Sequence, residues 1–189
     1  MFKNCEIINN SNEQIIIINN NVEILEFTYY NNEFKIESLK SSCEYSGTKI
    51  LNEFEVFILD YCDLTKPHEI YFTDTSTIIK NGVKLSLSLM LIIINGESWY
   101  NSKGYYSKNH IKERVQWDIN RFKTFYFEDD EIINFWFNTF NSDIRKLKLY
   151  SIVNIIRMNI DENTEIYKKI LDTIKHKFNY TTFLSKTIK

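Results

Sequence analysis

The chain has 189 residues, is 43% hydrophobic and 15% aromatic, and carries a formal net charge of −2. That length and apolar content suit a folded domain with a real core and exclude an intrinsically disordered chain. Charge is uneven along it: residues 1–69 hold five lysines against twelve acids, whereas residues 142–189 hold ten cations against five acids.

Alanine is absent, glycine occurs four times and proline once, while Ile, Asn, Lys, Tyr and Phe are abundant. The missing residues are those with GC-rich codons, which points to an AT-rich genome. On that account "NNSN" and "NNNV" read as turns and not as functional low-complexity tracts. Cys5, Cys43 and Cys62 are widely spaced with no CxxC, the pattern of free thiols in a reducing compartment and not of a disulfide framework or zinc site. The segment "MFKNCEIINN" lacks a signal-peptide core. The longest uncharged run, Leu85 to Gly96, is about half of the ~20 residues a bilayer span needs. The expectation is a cytoplasmic protein without a membrane span, in which the sequons at Asn9 and Asn179 go unused.

In chain order, "CEIINN", "QIIIIN", "VEILEFTYY" and "EFKIES" read as strands, being short, β-branched or aromatic and separated by Asn-rich breaks. "KILNEFEVFILDY" follows Gly47 as a longer predicted strand, with Phe54, Val56 and Ile58 in period two. "TKPH" is a loop, "EIYFTD" and "STII" are further strands, and Asn81-Gly82 is a hairpin turn. Close spacing favours an antiparallel meander. A short strand at Val83–Leu85 then gives way to a buried helix from Ser86 to about Asn101. Asn109 reads as an N-cap for a helix whose Ile111, Val115, Ile119 and Phe122 recur with helical period. "EDDEIINFWFNTF" places acids at a helix start and is apolar nearly all round, which makes it the hub of the helical half or partly a partner surface. Ser142-Asp143 caps "IRKLKLYSIVNIIRM", and Asn163 or Thr164 caps a last helix carrying Ile166, Ile170, Ile174 and Phe178.

Residues able to carry chemistry are few. His68, His110 and His176 have no second histidine or cysteine at ligand spacing, and the acids Glu128–Glu131 are explained by a helix N-terminus, so no metal site is expected. The glycines lie too far apart for a phosphate cradle, which excludes P-loop and dinucleotide-binding readings. What remains is "ESWYNSKGYY". Its aromatic-Tyr-x-x-x-Gly-aromatic pattern resembles the closing helix-to-strand segment of the GNAT acetyltransferase superfamily. That resemblance implies acetyl-CoA as cofactor, Tyr100 as the general acid that protonates the departing thiolate, and Gly104 and Tyr105 as the Gly-aromatic pair. The superfamily's glycine-containing acetyl-CoA loop has no counterpart here. Read from the residues alone, the stretch is a helix end: Trp99 and Tyr100 finish the core and Gly104 adopts a left-handed C-cap. The longer stretch "STIIKNGVKLSLSLMLIIINGESWYNSKGYYS" resembles uncharacterised orphan proteins of giant DNA viruses, which implies an origin and no mechanism.

The expected architecture is α+β: an N-terminal antiparallel β-meander over residues 1–85, then a helical half over residues 86–189, together forming one domain. The expected function is non-enzymatic, the binding of a host or viral macromolecule without a cofactor, with a protein partner favoured over nucleic acid. Trp99, Tyr100, Gly104 and Tyr105 are the candidate site. A degenerate or active acetyltransferase is the alternative. A basic face built from Lys146, Lys148, Lys168, Lys169, Lys175 and Lys177 would mark nucleic-acid binding.

Overall fold

A computed structural model describes residues 2–10, 13–42, 44–61, 68–178 and 180–188. In chain order they form β1 (Cys5–Asn10), β2 (Gln14–Asn19), β3 (Val22–Tyr30), β4 (Glu33–Leu39), α1 (Gly47–Tyr61), β5 (His68–Thr73), β6 (Thr77–Lys80) and β7 (Val83–Ser86). There follow α2 (Leu87–Asn95), α3 (His110–Arg121), α4 (Asp130–Phe140), α5 (Leu149–Met158), α6 (Thr164–Lys177) and β8 (Phe183–Ile188). The fold is α+β, with an N-terminal antiparallel run β1–β4 and a helical C-terminal half. Two compact units result: Met1–Thr73 with Phe183–Lys189, and Asp74–Thr182. The division at 85/86 read from the sequence falls inside the second unit, between the last two residues of β7.

The first unit is a six-stranded sheet in the order β1-β2-β3-β4-β5-β8. The Asn-rich breaks at 20–21 and 31–32 are tight turns, whereas of "NNSN" Asn9 and Asn10 belong to β1 and Ser11 and Asn12 lie outside the described residues. Asn20 and Asn21, and again Asn31 and Asn32, all have positive φ, the backbone that two-residue hairpins require and that asparagine tolerates better than other side chains. Two expectations are corrected here. The strands are not a meander throughout, because β4 and β5 pair in parallel and β5 and β8 antiparallel. The segment "KILNEFEVFILDY" belongs to a helix, α1, which supplies the crossover that a parallel step needs. Ile50, Leu51, Phe54, Phe57 and Ile58 of α1 are buried, a helical spacing, whereas Val56 is exposed. Phe27 of β3 packs on them, with ring centroids 4.6 Å from Phe54 and 5.9 Å from Phe57. Lys186 of β8 reaches Glu55 of α1 at 2.8 Å. Cys5 is a free thiol; Cys43, Cys62 and the "TKP" of the expected loop lie outside the described residues.

The second unit begins with the β6–β7 hairpin, whose turn residues Asn81 and Gly82 have φ of 50° and 80°. The chain then enters α2, where the Ser86 side chain accepts the Leu89 N–H and Gly96, in the left-handed region, ends the helix. The helix is thus shorter than the sequence implies. Leu89, Met90, Ile92 and Ile93 are buried with Trp117, Ile132, Trp136, Ile152, Val153, Ile156, Tyr167 and Ile170 in one apolar cluster. Asp129 caps α4, its Oδ1 accepting the N–H groups of Glu131 and Ile132. Asp143 caps only a 3₁₀ turn, Ile144–Lys146, and α5 starts after Lys148. Of α4, Ile132 and Trp136 are buried in the core while Phe137 is exposed. Among the described residues, no helix is long and apolar enough to cross a membrane.

The helical assignment of α1 has a direct test. Val56→Lys is expected to leave the urea midpoint nearly unchanged, whereas Phe57→Lys is expected to cost about 3–5 kcal/mol. The reverse result, a large loss at Val56 and a small one at Phe57, would fit the period-two strand and not a helix.

Candidate functional site

The stretch after Gly96 is held by reciprocal side-chain-to-backbone bonds. Ser98 N–H donates to Asn101 Oδ1 at 2.9 Å, and Asn101 N–H donates back to Ser98 Oγ at 3.2 Å. This is the capping-box arrangement, here at the head of the 3₁₀ turn Asn101–Lys103. Asn101 Nδ2 also donates to the Tyr105 carbonyl at 2.8 Å. Gly104, with φ of 87°, closes the turn in the left-handed region, so the C-cap role expected for it is found one short helix later than α2.

Of the four candidate residues, Tyr105 is fully buried, while Trp99 and Tyr100 are half-buried. Their rings pack edge-on: Trp99 to Tyr100 at 4.7 Å and 73°, and Tyr100 to Tyr105 at 6.4 Å and 79°. Tyr100 sits at the head of a 3₁₀ turn, and the chain beyond Gly104 runs into α3 without forming a named strand. The sequence singled out one neighbour too few. Asp74 is buried, and its Oδ1 accepts the Ser76 hydroxyl at 2.6 Å and the Ser76 N–H at 3.0 Å. Burial pushes the Asp74 carboxyl up from its ordinary value, against the opposing pull of Ser76 and Ser98 hydrogen bonds. The Tyr100 hydroxyl is raised too, first by burial and then by the Asp74 carboxylate. A phenol held this firmly protonated is a weaker general acid than an ordinary tyrosine. An aspartate buried beside it has no sequence signature, since residue 74 lies in a turn between two strands.

The more consequential arrangement is on α3. Ile111, Val115, Ile119 and Phe122, which recur with helical period in the sequence, share one face of it. That face is turned outward: they are 81%, 53%, 45% and 48% exposed, and Trp117 is the one fully buried residue of the helix. His110, Trp117 and Arg121, at i, i+7 and i+11, share the inward face instead. The reason lies at Gly96. A Cβ there would meet Arg121 Nη1 at 2.8 Å and Asp118 Oδ1 at 3.1 Å, so the bare glycine admits the guanidinium. Arg121 then stacks over Phe122 at 4.7 Å and lies 5.9 Å from Tyr150. The Trp117 ring lies 5.9 Å from His110, whose other neighbour is Tyr106 at 4.4 Å. Burial and then Arg114 hold the His110 imidazole below its usual range, with Glu113 and Glu97 acting the other way. Residues 106–112 line a cavity of about 630 Å³ at the N-terminal end of the exposed stripe.

The basic and acidic clusters are used internally. Lys169 pairs with Asp129 at 2.8 Å and with Glu131 at 2.5 Å, Lys168 pairs with Asp172 at 2.7 Å, and Lys177 lies 3.9 Å from Glu128. Three of the six lysines of the expected basic face are therefore already matched by acids. No group of three or more His, Cys, Asp or Glu among the described residues is placed to hold a metal ion.

Asp74 generates a pH prediction. A carboxyl whose folded pKa stands above its ordinary 3.8 binds protons more readily in the native state than in the unfolded chain. Its contribution to stability is thus full in acid and is lost as pH rises from there through the raised folded value. Urea melts of wild type and Asp74→Asn across that window should show the wild type losing ground steadily to the variant, with a constant difference at higher pH. Parallel curves would contradict the raised carboxyl. No family model matches this chain, and no match was found among curated proteins or among solved structures.

Proposed function

We propose that this chain is a non-enzymatic cytoplasmic protein that binds a macromolecular partner of the host or of a virus, and that the partner is a protein. The observation that carries this reading is the exposed face of α3: four apolar residues in helical register, flanked in sequence by the aromatic Tyr106 and Tyr126, both exposed. Single exposed apolar side chains are ordinary, but a contiguous helical row turned to solvent is the arrangement of a partner-binding face. Covering such a row contributes roughly 1.5–3 kcal/mol per fully buried side chain. The pairing of Lys168, Lys169 and Lys177 with acids favours a protein over nucleic acid. The raised Tyr100 hydroxyl favours binding over acetyl transfer.

Two measurements test it. Cross-linked capture from the native host should yield proteins with wild type that are lost with Val115→Lys/Ile119→Lys, whose melting temperature stays within a few degrees of wild type because both sites are exposed. Unchanged capture would remove α3 from the reading. Millimolar acetyl-CoA should give no thermal stabilisation; a clear shift that Tyr100→Phe abolishes would favour the acetyltransferase alternative.

A further inference from the structure

The charges around the α3 row are not balanced. Lys108 and Lys112 at its start, Arg114 on its flank, and Lys123 at its end are all exposed. None of the four is ion-paired among the described residues. Asp118, the acid on the flank of the row, already lies 3.8 Å from Arg121, and Glu113 accepts the hydroxyls of Ser107 and Thr181. Lys148, also exposed, is bridged to Thr124 just beyond Lys123 and adds a further cation at the Phe122 end. The result is an apolar row about 16 Å long, three turns of helix, inside an unneutralised basic rim. At its N-terminal end the cavity formed by residues 106–112 offers a recess for a large side chain.

We infer that α3 docks an amphipathic helix of a partner protein whose apolar stripe is flanked by Asp and Glu, an anchoring side chain of that helix entering the recess beside Tyr106 and His110. The inference rests on the binding reading above and adds the chemistry of the partner. An apolar row alone would accept any amphipathic helix, including a second copy of α3 itself. Two copies, however, would bring like-charged rims together, which costs affinity, whereas acids on the partner meet every free cation of this rim.

The test uses the full chain and two synthetic helices of about 18 residues. Both carry the same leucine stripe with one central Trp; one has Glu and the other Lys at every flanking position. By fluorescence anisotropy at low salt, the Glu-flanked peptide should bind about tenfold tighter or more, and the gap should close near 0.5 M salt. Val115→Lys should abolish binding of both peptides. Lys112→Glu/Arg114→Glu should reverse the preference, which a merely structural role for these exposed side chains would not do. Equal affinities for the two peptides overturn the acidic-partner inference and leave the binding face standing. Failure of both peptides to bind overturns the face as well. Sedimentation that shows a dimer lost in Val115→Lys makes a second copy the occupant and overturns the inference in a third way.

Discussion

The antiparallel pairing of β5 with β8 is the constraint around which this chain is organised. His68 to Thr73 run against Ile188 to Phe183 residue for residue, so the last described strand returns to the sheet that the first strands built. Everything from Asp74 to Thr182 is thereby a closed excursion from one strand pair. The N–H of Asp74 donates to the carbonyl of Thr182 at 2.6 Å, joining the two ends of that excursion. With its ends fixed together, the excursion can fold as a unit with its own core, because the loop-closure entropy of a long segment is met once, at its base. The cluster built on α2, Trp136 and Tyr167 is that core.

Turn chemistry in this chain follows from its composition. With only four glycines, positive φ must be carried by something else. Among the described residues eight asparagines take it: Asn4, Asn20, Asn21, Asn31, Asn32, Asn81, Asn141 and Asn163. Asparagine reaches the left-handed region at low cost because its short polar side chain can bond locally. That is why the Asn pairs marked the hairpins correctly from the sequence. Gly96, beneath Arg121, stands where a side chain would collide, and Gly104 takes the positive φ with which a tight turn closes over Asn101.

α3 shows how a local pattern can be read correctly and still mislead. Its apolar residues recur with the period of a helix, and a helix is what forms. Periodicity identifies a face, however, and says nothing about what covers it. Here one Trp and the stem of Arg121 outweigh four smaller side chains for the inward position, since Gly96 leaves room on that side and an indole buries more surface than an isoleucine. The segment of α1 misleads for the opposite reason. Phe54, Val56 and Ile58 alternate as in a strand, yet Ile50, Leu51, Phe54, Phe57 and Ile58 fit a helical face equally well, and the exposure of Val56 separates the two.

Interactions between neighbours in the chain make the local elements legible. These are the four N-terminal strands and their Asn turns, the 81–82 hairpin, the helical nature of the C-terminal half, and the left-handed cap at Gly104. Each depends on backbone preferences that act over a few residues. The tertiary structure alone decided the parallel step through α1, the return of β8 to the sheet, the burial of Asp74 beside Tyr100, and the outward turn of the α3 row. These depend on which distant surfaces compete for the same space, and volume and charge far apart in the chain settle that competition, where no local period can register it.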